Sequence, residues 1–192
     1  MTKERMEAFS DGVLAVFITI MVLDMKPPHD TQLAAMRPLI PVFMSYVLSF
    51  IYVGIYWNNH HHLLHAAQKV SGAVLWANLH LMFWLSLIPF TTAWVGENHV
   101  NAWPVALYGI VLLCAAIAYY ILTRALIHLH GEGSMLAKSI GEDKKGKISI
   151  ALYAVAVPLA FVQPWIASVG YVIVAVMWLV PDRRIERESA NK

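Results

Sequence analysis

Residues 5–25, Arg5-Met6-Glu7-Ala8-Phe9-Ser10-Asp11-Gly12-Val13-Leu14-Ala15-Val16-Phe17-Ile18-Thr19-Ile20-Met21-Val22-Leu23-Asp24-Met25, decide the class of fold. From Gly12 to Leu23 only Thr19 is polar. A helix apolar on every side is covered by a membrane or a large core, not by water. The flank mixes Glu4 and Glu7 with Lys3 and Arg5, and Lys26-Pro27-Pro28 offers no small-residue cleavage site, so the segment reads as a retained span rather than a leader. A hydrocarbon core about 30 Å thick takes roughly 20 apolar residues. Runs near that length recur at 38–60, 72–95, 103–128, 148–164 and 166–181. Together with 6–25 they predict an all-α, polytopic membrane protein of six transmembrane helices, one unit over residues 1–192 with no second domain. Pro27-Pro28, Pro38, Pro41, Pro104, Pro164 and Pro181 punctuate the segment ends.

Composition points the same way, with 59% hydrophobic and 14% charged residues in 192 and a mean hydropathy of +0.59, too apolar for an ordinary soluble domain. Trp57, Trp94, Trp103 and Trp165 fall toward segment ends, the depth that suits an amphipathic ring, although filler serves as well at any single site. Cys114 is the only cysteine, which excludes an intrachain disulfide framework. No nucleic-acid partner is indicated.

Lys3, Arg5, Lys69, Arg124, Lys138, Lys144, Lys145, Lys147, Arg183, Arg184, Arg187 and Lys192 fall on one side of the spans, and only Lys26 and Arg37 on the other. The positive-inside rule therefore puts both termini in the cytoplasm, as an even number of spans requires. The stretch 131–147, rich in glycine and charge, reads as a solvated cytoplasmic connector.

The polar residues gather at one depth. Arg5, Ser10 and Asp11 open the first segment, Trp57-Asn58-Asn59-His60-His61-His62 ends the second with His65 beyond, and Trp76, Asn78 and His80 open the third. Ionisable groups in a membrane need partners, so these residues are expected to satisfy one another at the inner leaflet. Metal binding is the rival reading, since His60, His61, His62, His65, His128 and His130 resemble the histidine boxes of di-iron membrane oxygenases. Such sites use about eight histidines, and topology puts His29 and His99 on the far side. His62 and His65 also suit a plain surface position.

At about 100° per residue, Val16, Thr19, Ile20 and Leu23 share one stripe of the first helix, and Asp11 lies off it, turned toward neighbouring helices. Taken alone, such a stripe faces lipid or packing partners as readily as a pore. The motif Arg5-x-x-x-Phe9-Ser10-Asp11 resembles the signature of the endosomal and lysosomal transmembrane potassium channel family, in its prokaryotic, single-repeat form. Tyr56-Trp57-x-x-His60-His61-x-Leu63, Asn78 and Pro89-Phe90 extend the likeness.

The resemblance implies a multi-pass protein of the prokaryotic inner membrane, with no enzymatic activity and no cofactor. Four copies would surround an axis lined by helix one, carrying potassium without the TVGYG-type carbonyl filter. Carried across from the motif, the narrowest ring falls on Val16, where the family commonly has a larger aliphatic residue. A threonine ring falls on Thr19 and a further apolar ring on Leu23, with Ile20 sharing the closure. Asp24 would form a carboxylate ring at the mouth, and Arg5, Phe9, Ser10, Asp11, Trp57, His60, His61 and Asn78 would hold the helix in place. The partners implied are three further copies, the lipid bilayer and potassium ions. A secondary or proton-coupled transporter is the alternative, but it would place its ionisable relays near the midplane and use broken helices in repeated halves.

Overall fold

The computed structural model describes residues 2–98, 100–141 and 143–179. His99, Pro181, Arg183, Arg184, Arg187 and Lys192 lie outside the described residues, as does the end of the segment expected at 166–181. Those described form eight α-helices and no strand: α1 Lys3–Leu23, α2 Ile40–Ala66, α3 Gly72–Ser86, α4 Ile88–Glu97, α5 Ala102–His130, α6 Met135–Ile140, α7 Lys144–Leu159 and α8 Pro164–Leu179. A 3-10 turn, Leu33–Leu39, leads into α2.

Among the described residues, four stretches are long and apolar enough to cross a membrane: Lys3–Leu23, Leu33–Ala66, Gly72–Glu97 and Ala102–His130. Of the last two expected segments, α8 is apolar but has 16 residues, and α7 has 16 as well. At 1.5 Å per residue each reaches only about 24 Å.

Three boundaries differ from the hydropathy reading for identifiable reasons. The segment expected at 72–95 is two helices broken at Leu87, because Pro89 has no N–H for the carbonyl of Leu85. The second span continues past residue 60 to Ala66 although His60, His61, His62 and His65 are polar. Its last carbonyls are capped by Lys3, whose Nζ donates to Ala67 O at 3.0 Å and His65 O at 3.5 Å, a cation at a helix C-terminus. The stretch 131–147 is not merely a solvated connector. It holds α6, whose Leu136 is 2% exposed within the main core, and the first turn of α7, capped by Asp143 accepting from Gly146 N–H at 3.1 Å.

Two apolar clusters hold the bundle. The larger joins α1, α2, α3, α4 and α5 through Leu14, Phe17, Val53, Leu64, Leu81, Ile88 and Leu122 among others. The second joins α2, α5, α7 and α8 around Tyr52, Tyr108, Tyr153 and Tyr171. Since α1 takes part only in the first, it stands at the side of the bundle with one face uncovered.

Candidate functional site

Met6, Ser10, Leu14, Phe17 and Met21 are the buried residues of α1, spaced four, four, three and four apart, which is one helical face. The opposite face is open and apolar, with Val16 50%, Ile20 42% and Leu23 78% exposed, and Thr19 is exposed between them. Thr19 donates its hydroxyl proton to Val16 O at 2.9 Å. That bond uses the hydroxyl proton, so the exposed oxygen is left as an acceptor, the role a cation ligand needs. Asp24 caps the end of α1, its N–H bonded to Ile20 O at 3.1 Å. It borders a cavity of about 160 Å³ shared with Lys26, Tyr46, Thr92 and Glu97.

The other side of α1 carries a hydrogen-bonded thread whose direction is fixed by its first link. Ser10 donates to Met6 O at 2.9 Å, so its oxygen accepts from Asn78 Nδ2, also at 2.9 Å. The amide orientation then turns Asn78 Oδ1 toward His60 Nε2 at 2.7 Å, and this nitrogen must carry the proton. All three side chains are buried, and His60 Nδ1 has no hydrogen-bond partner among the described residues. Nearer the surface, Trp57 Nε1 donates to Asp11 Oδ1 at 3.1 Å, and His61 Nδ1 lies 3.2 Å from Glu7 Oε1.

Of the residues expected to cooperate, the structure brings together Ser10, Asn78 and His60 in one thread, pairs Asp11 with Trp57, and sets His61 against Glu7. Arg5 departs from the expectation: it is exposed and makes no hydrogen bond or ion pair among the described residues, while Glu7 takes the position of charged partner. Phe9 is exposed beside the pore-facing candidates rather than within the thread.

The second cluster contains a polar centre that sequence reasoning missed. Tyr52 OH donates to the carbonyl of Tyr171, Tyr153 OH to Tyr52 OH at 3.1 Å and Tyr171 OH to Val105 O at 3.1 Å. Ser49 Oγ lies 2.9 Å from Tyr108 OH and 2.6 Å from Thr92 Oγ1. The available signal was the presence of tyrosines within the apolar runs of α2, α5, α7 and α8, because a phenol at membrane depth needs a partner.

The family described as "Endosomal/lysosomal potassium channel TMEM175" matches residues 5–89, the stretch that holds both faces of α1 and the Ser10–Asn78–His60 thread. A potassium channel of Chryseobacterium sp. (strain P1-3) is 53% identical over 187 residues, 97% of each chain. The endosomal/lysosomal proton channel TMEM175 of Mus musculus is 29% identical over 187 residues, 88% of this chain and 37% of that one. The crystal structure of a lysosomal potassium-selective channel TMEM175 homolog from Chamaesiphon minutus superposes with a TM-score of 0.79 at 24% identity. It covers 93% of this chain and 96% of that one, and the likeness speaks for the fold. The fold and the relatives are those of ion channels, not enzymes. The chain belongs to the TMEM175 family of potassium channels.

Proposed function

We propose that the 192-residue chain is one six-helix subunit of a homotetramer in the prokaryotic inner membrane, with both termini cytoplasmic. Potassium passes along an axis lined by Val16, Thr19, Ile20 and Leu23 of α1. The observation that carries this reading is the uncovered face of α1. A helix with its other face sealed by Leu14, Phe17 and Met21 presents an apolar stripe interrupted by a single hydroxyl. Four such stripes facing one another make a constriction that gates by dewetting, with one ring of oxygen ligands inside it. The neighbours' names support potassium as the permeant ion. No cofactor enters the mechanism. In the orientation proposed, Asp24 sits at the outer mouth and concentrates cations there.

Cysteine substitution tests the lining. A positively charged thiol reagent should cut potassium flux into liposomes by at least about tenfold for Val16→Cys and Leu23→Cys, because a cation lodged in an apolar constriction blocks it. Ile18→Cys should stay insensitive. Block at Ala15→Cys and Ile18→Cys with silence at Val16 and Leu23 would mean that the helix is rotated the other way.

Ion preference should reside in Thr19. Potassium is the easier of the two ions to dehydrate, and a hydroxyl ring replaces part of its hydration shell, so potassium is favoured over sodium by a limited margin. Thr19→Val keeps the shape and removes the oxygen, and reversal potentials in asymmetric potassium and sodium should then shift toward no preference. An unchanged ratio would move selectivity to the aliphatic ring.

A further inference from the structure

We propose that His130 is a proton-operated clamp on the cytoplasmic end of α1. The segment linking α2 to α3 is gripped from two sides. From one side Lys3, the first residue of α1, donates its ammonium to the carbonyl of Ala67 at 3.0 Å. From the other, His130 at the end of α5 receives the N–H groups of Gln68 and Lys69 on Nε2, at 3.0 and 3.3 Å. Its remaining nitrogen, Nδ1, lies 2.8 Å from Leu126 O, an acceptor only, so Nδ1 holds the proton and Nε2 the lone pair.

This is an arrangement that only neutral imidazole can make. A proton taken from cytoplasmic water binds at Nε2, converts the acceptor to a donor and leaves it facing two other donors. The two amide bonds must then open. A proton on Nε2 and these two accepted bonds exclude one another, so a step in pH is the natural probe of the grip. Ala67 is buried and Val70 packs on the main core, so the linker is otherwise seated, and its release reaches α1 through Lys3.

The charged and titratable residues nearest in the chain to these contacts are Lys3 and Glu4 of α1, His65 ending α2, Lys69 in the linker, Arg124 and His128 of α5 itself, and Glu132 just beyond it. The ring of His65 stacks on His61, with centroids 6.1 Å apart. The clamp itself stands on these bonds alone, and its consequence for ion flow rests on α1 lining the pore.

The experiment compares the parent with His130→Gln and His130→Phe in lipid nanodiscs. Gln offers an amide oxygen to the same two N–H groups and cannot be protonated, whereas Phe offers nothing. Amide hydrogen exchange, corrected for the intrinsic pH dependence, is followed over the linker 67–70 and the first turns of α1. In the parent, protection of both should fall severalfold from pH 7.5 to pH 5.5. In His130→Gln it should stay high at both values, and in His130→Phe it should be low at both. In liposomes, potassium flux through the parent should fall with acid on the cytoplasmic side, and that response should be blunted in His130→Gln. Protection that ignores pH in the parent, or that falls equally in His130→Gln, overturns the clamp whether or not the protein conducts. Protection that behaves as expected while flux responds to acid alike in parent and His130→Gln overturns the link to α1.

Discussion

Asn78→Leu is expected to cost about 2–4 kcal/mol of stability, because it orphans the buried His60, at roughly 1–3 kcal/mol, and removes one of the two bonds of Ser10, worth about 1 kcal/mol. Asn78 is the middle of a three-residue thread that has no slack. It donates to Ser10 and accepts from His60, and leucine of similar size does neither. Ser10 keeps its bond to Met6 O. His60 is worse placed, because Nδ1 already has no partner among the described residues. Losing the link from Nε2 leaves a whole imidazole, 1% exposed, with nothing to bond. The thread ties α1 to α3 and, through His60, to α2, so the register of α1 should loosen with it. Thermal unfolding of purified protein followed by size exclusion should show the loss. The companion variant Asn78→Leu/His60→Phe removes the orphaned ring as well and should be more stable than Asn78→Leu alone, since replacing both partners by apolar groups is nearly neutral. Loss of less than about 0.5 kcal/mol in the single variant, within the range of an ordinary surface change, would mean that water already serves these groups.

How far the fold was legible depends on which force sets each feature. The apolar runs and their ends follow from burial, and hydropathy places five of the helical stretches within a few residues. Hydropathy cannot see a helix held by capping, and for that reason the extension of α2 through His65 escaped it. It is likewise blind to a missing N–H inside an apolar run, the cause of the break at Leu87. The uncovered stripe of α1 and the polar cluster at its N-terminal end were readable because a period of 3.6 and a gathering of unlike residues are both visible in one dimension. The members of the cluster were not all separable. Arg5 carries the motif but stays in solvent, while Glu7, two residues on, meets His61. The clamp of His130 on Gln68 and Lys69 joins residues about 60 apart in the chain through backbone N–H groups, and backbone donors are the same in every sequence.

The tyrosine centre shows the same limit from the packing side, and its most sensitive point is a glycine. Gly109 of α5 lies against the phenol of Tyr171 so closely that an added Cβ would overlap the hydroxyl oxygen. The same Cβ would sit 2.6 Å from Cζ and 3.0 Å from Val157 Cγ2. The ring is pinned at several points: its hydroxyl donates to Val105 O, its own carbonyl accepts from Tyr52, and its face packs against Tyr108 and Tyr153. Gly109→Ala must therefore push α8 away from α5 or expel the phenol, and overpacking together with one lost buried hydrogen bond should cost about 3 kcal/mol. Helix propensity acts in the opposite direction, since alanine exceeds glycine by up to about 1 kcal/mol in a helix interior, so a net loss isolates the steric term. Tyr171→Phe removes the overlapping oxygen, and Gly109→Ala/Tyr171→Phe should recover part of the loss. The coupling between the two sites should be of order 1 kcal/mol or more, as for residues in direct contact. A Gly109→Ala protein as stable as the parent, or strictly additive changes in the pair, would show that α8 shifts on α5 without resistance and that the tyrosine centre does not fix their spacing.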